Sequence, residues 1–314
     1  MKKVLYLGPS EGLSVVEEIL NSGFEILSPG TEITCVEKTL PQLAAILDAS
    51  MKVPFPRERL EKAPLLKVFV TATTGSDHID AAWLKQNNVP LLTLKGQTEV
   101  LRNLTPAAEL SWMLLLALAR KLRPAIRHVA DGLWDREQFP GMMLKGRTLG
   151  LVGLGRIGGW MARYAQAFGV KVCAYDPYQK EWPKEVLNLS LDDVLRQSDF
   201  ISIHVHASEE TRGLMGNDEF TKIKRGAILI NTSRGSIVDE TALLEALDCG
   251  KLGGYGCDVV EGEPDVKETA LWKFAQNHDQ VLITPHIGGF SPDALGVILK
   301  FTAGRIHEHF HPRT

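Results

Sequence analysis

The chain of 314 residues has only four cysteines, and Cys35, Cys173, Cys249 and Cys257 form no CxxC pair. That scatter excludes a zinc knuckle or a disulfide framework and leads us to expect reduced thiols in a cytoplasmic protein with no metal site. Neither sign of charge is in large excess. Lys and Arg total 35 against 38 Asp and Glu, a net charge of -3, which gives no electrostatic case for nucleic acid or an anionic membrane. Long hydrophobic runs are missing too. The most apolar stretch, residues 110–119, is too short to span a bilayer and suits a buried helix. The start, Met1-Lys2-Lys3 and then Val4-Leu5-Tyr6-Leu7-Gly8, has the character of a short buried strand, not of a signal peptide. No solenoid-length repeat and no low-complexity tract appears. A chain of this length exceeds what one hydrophobic core usually serves, so two domains are expected.

What is present in quantity is glycine, 28 in all, and nine residues from Gly150 to Gly158 place it with most meaning: Gly-Leu-Val-Gly-Leu-Gly-Arg-Ile-Gly. An apolar run at 148–152 precedes the turn, and Ile157, Met161, Tyr164, Ala165 and Phe168 follow at helical spacing. Such a strand, turn and helix cradle a dinucleotide. Gly153 permits the tight turn, Gly155 lets backbone approach a pyrophosphate, and Gly158 lets the helix pack on its strand. The helix start then aims its free N–H groups at the anion. A second strand at 171–175 ends in Asp176, 18 residues past Gly158, where a carboxylate accepts from ribose hydroxyls and repels a 2'-phosphate.

Strand-like runs recur at 4–7, 67–71, 90–94, 148–152, 171–175, 200–205, 227–231, 255–259 and 281–284, with helical segments such as 189–197 and 240–249 between them. Short apolar strands interleaved with longer helices predict an α/β fold of parallel sheets covered on both faces. A long helix is expected over about 105–129, opened by Pro106, and a final one over 291–309.

Chemistry-bearing residues stand at three strand ends, where ligands bind in open α/β sheets. Asn231-Thr232-Ser233-Arg234-Gly235-Ser236 offers a guanidinium able to grip a carboxylate through two parallel hydrogen bonds. Gly256-Cys257-Asp258 runs on to Glu263-Pro264, and Thr284-Pro285-His286-Ile287-Gly288-Gly289 sets a His between a proline and two glycines. An Arg, a Glu and a His so placed suit proton transfer to a bound oxyacid. His204-Val205-His206 alternates like a metal pair, but no acidic or Cys ligand is near in sequence, and a strand-end loop beside the cofactor is the reading taken.

Together, 149–158, Tyr175-Asp176-Pro177-Tyr178, Ile230 to Gly235, Asp258 with Glu263-Pro264, and Thr284 to Gly289 resemble the D-isomer-specific 2-hydroxyacid dehydrogenases. The resemblance implies two doubly wound parallel-sheet domains. A Rossmann NAD-binding domain, 104–287, would be inserted into a flavodoxin-like substrate domain made of 1–103 and 288–314. It implies NAD as cofactor, a small 2-keto or 2-hydroxy acid as substrate, and a homodimer. By the same resemblance Arg234 holds the substrate carboxylate, His286 exchanges a proton with the substrate oxygen, and Glu263 fixes the imidazole and stabilises imidazolium. The loop Thr73-Thr74-Gly75-Ser76 would receive the carboxylate on its N–H groups. Gly153, Gly155, Arg156, Ile157, Gly158, Asp176, His204, Thr232, Ser233 and Asp258 would line the cofactor, with Asp258 beside the nicotinamide.

The sequence also departs from the family's habit. Relatives acting on 3-phosphoglycerate usually carry an Arg-Ser pair just before the second helix of the substrate domain, whereas Asp48 stands at that place in Leu47-Asp48-Ala49-Ser50-Met51-Lys52. The loop 95–103 lacks the Pro-Gly-x-Asn pattern, and Phe290 stands where small residues are frequent. The Asp speaks against phosphoglycerate, whose oxidation is kept, with an NAD(H)-sensing, corepressor-like binding protein, as an alternative to a dehydrogenase of another 2-hydroxy acid.

Overall fold

Runs such as Val4-Leu5-Tyr6-Leu7 and Ala227-Ile228-Leu229-Ile230 bury every side chain, because their strands are covered on both faces by helices. The computed structural model describes residues 1–312. Its chain divides into two compact units, Met1–Leu104 with the segment from Phe290 onward, and Thr105–Gly289.

The first unit holds a five-stranded sheet: β1 (Lys2–Leu7), β2 (Phe24–Leu27), β3 (Leu43–Asp48), β4 (Val68–Thr71) and β5 (Leu91–Leu92). All neighbours are parallel and the order is β2-β1-β3-β4-β5, the flavodoxin-like arrangement. The period of two sorts the side chains. Val4, Tyr6, Ala45, Leu47 and Val70 meet Leu299 and Ala303 of the helix Pro292–Phe310, while Leu5, Leu7, Ile46 and Phe69 meet Val36, Leu40 and Leu60 behind. That last helix starts at the expected place. The Ser291 hydroxyl caps it by accepting the Ala294 N–H at 3.3 Å.

The second unit holds seven parallel strands: β6 (Thr148–Val152), β7 (Lys171–Tyr175), β8 (Val186–Asn188), β9 (Phe200–Ile203), β10 (Ala227–Asn231), β11 (Leu252–Cys257) and β12 (Val281–Ile283). Their order is β12-β11-β10-β9-β6-β7-β8. The winding reverses at β6, so β7 and β8 lie on one side of it and β9 to β12 on the other. A crevice is thereby left at the carboxyl ends of β6 and β9.

Three strands escaped the sequence pattern: β2, β3 and β8. The first and last are four and three residues long, too short for a period to show. β3, Leu-Ala-Ala-Ile-Leu-Asp, is built largely of good helix formers and buried on both faces, so it has neither strand composition nor alternation. The expected single helix over 105–129 is instead two, Pro106–Ala119 and Leu122–Ala130, with Lys121 between them at φ 52°. Pro124 is the reason. In one continuous helix its ring would meet the carbonyl of Arg120, whereas in the first turn of a new helix its missing N–H costs nothing. Among the described residues no helix is long and apolar enough to cross a membrane, and no cluster of three or more His, Cys, Asp or Glu is placed to hold a metal.

Candidate active site

The glycine turn is shaped by what surrounds it. β6 ends at Val152, Gly153 takes φ 96°, and its N–H returns to the Tyr175 carbonyl at 2.8 Å. A Cβ on Gly153 would lie 2.6 Å from the His204 carbonyl oxygen, and one on Gly158 2.3 Å from the Gly153 oxygen, so neither position tolerates a side chain. Gly155 differs. A Cβ there would meet nothing within 4 Å, leaving room in front of the backbone where a pyrophosphate would come.

Helix Arg156–Ala167 begins at Gly155 with no side-chain cap and no acidic residue in its first turn. Its first N–H groups therefore lack intrahelical partners, and Arg156 adds positive charge where the helix dipole is already positive. Partial burial lowers the Arg156 guanidinium pKa from its ordinary value. An anion would complement the free N–H groups of this helix start, so the residues present fit a bound dinucleotide.

Asp176, at the end of β7, spans the turn from the side. One oxygen accepts the Leu154 N–H at 2.8 Å and the other the Tyr178 N–H at 2.9 Å. On the opposite side, at the end of β9, His204 makes a 2.8 Å contact between Nε2 and the buried Ser202 hydroxyl, and its Nδ1 is buried without a partner. Ser202 carried no signal in the sequence. Thr232 shares a 2.7 Å hydrogen bond with the Ser111 hydroxyl, and the Ser233 hydroxyl donates to the Ile203 carbonyl at 2.9 Å, tying the end of β10 to β9.

The three chemical side chains follow β10, β11 and β12, which are neighbours in the sheet and so stand roughly 5 Å apart strand to strand. Arg234 leaves β10 in extended conformation; its Nη1 donates to the Ser233 carbonyl at 2.7 Å and its own carbonyl accepts from Asn231 at 2.9 Å. Gly235 brings this loop against the next, since a Cβ there would fall 2.2 Å from the Glu261 nitrogen. Glu263 and His286 are in direct contact, Oε1 to Nδ1 at 2.7 Å. Their side chains are 34% and 33% exposed, so a solute can reach the ring.

His286 has φ 54°, uncommon for a non-glycine residue. Asp258, 2% exposed, holds the loop in that shape. One of its oxygens accepts the Thr284 hydroxyl at 2.6 Å and the Ile287 N–H at 2.9 Å, and the other accepts the Gly288 N–H at 2.6 Å. In the first unit, Thr73, Thr74 and Gly75 form the bend after β4, where the Thr73 hydroxyl donates to the Gly75 carbonyl at 2.6 Å. A buried contact between Asp48 and His78 beside this bend had no place in the sequence reading, which met Asp48 only as the absence of an Arg.

Comparison with known proteins agrees with this geometry. Residues 112–288 match the profile of the D-isomer specific 2-hydroxyacid dehydrogenases, NAD binding domain. The hydroxypyruvate reductase of Thermotoga maritima is 35% identical over 271 residues, 86% of this chain and 86% of that one. The D-3-phosphoglycerate dehydrogenase of Archaeoglobus fulgidus is 36% identical over 260 residues, and there the match spans 82% of this chain but only 47% of the longer relative. Among solved structures, the D-lactate dehydrogenase of Aquifex aeolicus, complexed with NAD and lactic acid, superposes with a TM-score of 0.85 at 30% identity, covering 98% of this chain and 95% of that one.

His204 gives the site a measurable signature. Burial lowers its imidazole pKa from 6.5 to about 3. On acidification an unfolded chain takes up this proton near pH 6.5, while the folded chain refuses it until about pH 3. Stability is thus fully present above pH 6.5 and falls as pH drops toward 3, by at most about 1.4 kcal/mol per pH unit for one proton. Urea unfolding between pH 7 and 5 is expected to show a shallower loss for His204→Gln than for the wild type. Parallel slopes would mean that the ring does not stay neutral.

Proposed function

Since the chain belongs to the D-isomer-specific 2-hydroxyacid dehydrogenases and its cofactor is NAD, we propose that it interconverts a small 2-keto acid and the D-2-hydroxy acid, with His286 as acid and base. The observation that carries this reading is the Glu263–His286 contact beside the strand end bearing Arg234. In this reading Arg234 pairs with the substrate carboxylate and polarises the carbonyl. Glu263 accepts a hydrogen bond from Nδ1–H of His286, which leaves Nε2 to face the substrate oxygen, and its charge stabilises the imidazolium. When bound, NADH would supply the hydride for the carbonyl carbon. His286 delivers the proton that neutralises the alkoxide, and in oxidation it takes that proton back.

We assign the holding of the cofactor to Gly153, Gly155, Arg156, Ile157 and Gly158 at the pyrophosphate, Asp176 at the ribose, and His204, Thr232, Ser233 and Asp258 along the rest of the crevice. Thr73, Thr74 and Gly75 are assigned to the substrate carboxylate. The protein is further assigned as a homodimer. Helix Leu122–Ala130 supports this, because Leu122, Ile126 and Val129 repeat along one face at exposures of 47%, 61% and 52%, and Trp134 just beyond is 90% exposed. An apolar stripe of that kind is a surface awaiting a partner, and a second copy supplies an equal stripe.

Four measurements check these assignments. NADH oxidation is expected with at least one of glyoxylate, hydroxypyruvate, a branched 2-keto acid or a phosphorylated one. His286→Ala should lose about 100- to 10,000-fold in kcat yet bind NADH normally, since the glycine turn is untouched; an inert wild type that still binds NADH would point to a sensor. With NADPH, kcat/KM should fall roughly 10- to 100-fold, because a 2'-phosphate meets the Asp176 carboxylate. Equal use of the two cofactors would remove Asp176 from the ribose site. Light scattering should give twice the chain mass, and Ile126→Glu with Trp134→Glu should halve it. A monomeric wild type refutes the dimer.

A further inference from the structure

The bend after β4 carries backbone donors without acceptors. The N–H groups of Thr74, Gly75 and Ser76 donate to none of the described residues. Such a run of N–H groups at a strand end suits a carboxylate only if the backbone is held in place.

Besides the Thr73 hydroxyl's bond to the Gly75 carbonyl at 2.6 Å, the Leu94 N–H on the Thr73 carbonyl at 2.9 Å and the Ile79 N–H on the Ser76 carbonyl at 3.0 Å, ties at both ends lead to the segment that begins with Asp48. At the near end the Ala72 N–H donates to the Asp48 carbonyl at 2.8 Å. At the far end the His78 Nε2 meets the Asp48 carboxylate at 2.7 Å, and the His78 carbonyl accepts the Phe55 N–H at 2.7 Å. Asp48 is fully buried, and its second oxygen accepts the Ser50 N–H at 2.9 Å, the Ser50 hydroxyl at 2.8 Å and the Met51 N–H at 3.3 Å. This aspartate therefore sits inside a turn of its own, at the end of β3, and reaches across to the neighbouring strand's bend. The other ring nitrogen of His78 is buried with no partner. Packing alone would be better served by an apolar ring, so the nitrogen at Nε2 is what the site uses.

We propose that Asp48 and His78 are positioning residues, which pin residues 73–76 so that their N–H groups are set to receive the substrate carboxylate. They act on substrate binding and not on proton transfer. This inference rests on the dehydrogenase reading above.

The test uses the whole protein with NADH and the 2-keto acid that the wild type turns over best. His78→Phe keeps an aromatic ring, slightly larger, and removes both nitrogens. It should raise KM about tenfold, with kcat within about twofold and the NADH affinity unchanged. Asp48→Asn should behave nearly as wild type, because its Oδ1 still accepts from Ser50 and Met51 while its amide keeps a hydrogen bond to the His78 ring nitrogen. The proposal is overturned by an unchanged KM in His78→Phe, by kcat and NADH affinity falling together, or by Asp48→Asn matching His78→Phe. Should His78→Phe not fold, His78→Asn carries the same expectation, since its shorter amide does not span to Asp48. If the wild type reduces no 2-keto acid, the dehydrogenase reading fails by itself. Oxalate binding to the NADH-loaded protein then tests the pair separately: weaker binding in His78→Phe supports it, and equal binding refutes it.

Discussion

Every strand in both sheets runs parallel to its neighbours, and the placement of chemistry in this protein depends on that constraint. A parallel strand can be followed by another only after the chain has crossed back, so all carboxyl ends of one sheet open on the same edge. Residues remote in sequence are collected there without long side chains having to search for each other. Gly153, Asp176, His204, Arg234, Asp258 and His286 each follow a different strand of one sheet. The same edge of the other sheet gathers Asp48 and the 73–78 segment from two adjacent strands.

Within that edge, close backbone contact does more than side-chain reach. Gly153, Gly158 and Gly235 each occupy a place where a methyl group would strike backbone atoms at 2.6 Å or less. These contacts press the turn after β6 against the end of β9, and the loop after β10 against the one after β11. The carboxylates then complete the job. Asp176 and Asp258 are both spent largely on backbone N–H groups, so they shape the loops that present the neighbouring functional groups.

Much of this could be read from residues alone, and the reasons differ from place to place. The glycine turn was legible because backbone space, strand, helix and acid all leave marks at fixed offsets. Arg234, Glu263 and His286 could be singled out because each follows soon after an apolar run, and the resemblance to a known family joined them into a proposed site. β3 was not legible, since a strand buried on both faces and rich in Ala and Leu loses its period. The break at Lys121 could have been found from Pro124, whose ring forbids a continuous helix. The Asp48–His78 pair stayed hidden because it joins positions 30 apart through tertiary packing, and neither neighbourhood carries a local motif. For Ser202 the same holds: its contact with His204 depends on how the end of β9 is packed.

The uncapped start of helix Arg156–Ala167 has a bearing on how long each molecule lasts. Its first N–H groups have no side-chain cap, and no acidic residue stands in its first turn. On the reading proposed above, a dinucleotide that settles there binds the native chain and not the unfolded one, so it would act as a folding ligand as well as a reagent. At a free concentration one hundred times its Kd it adds about 2.7 kcal/mol to the native state. On that reading, a fall in the supply of the nucleotide would lower the stability of the native chain against unfolding and proteolysis as well as its turnover.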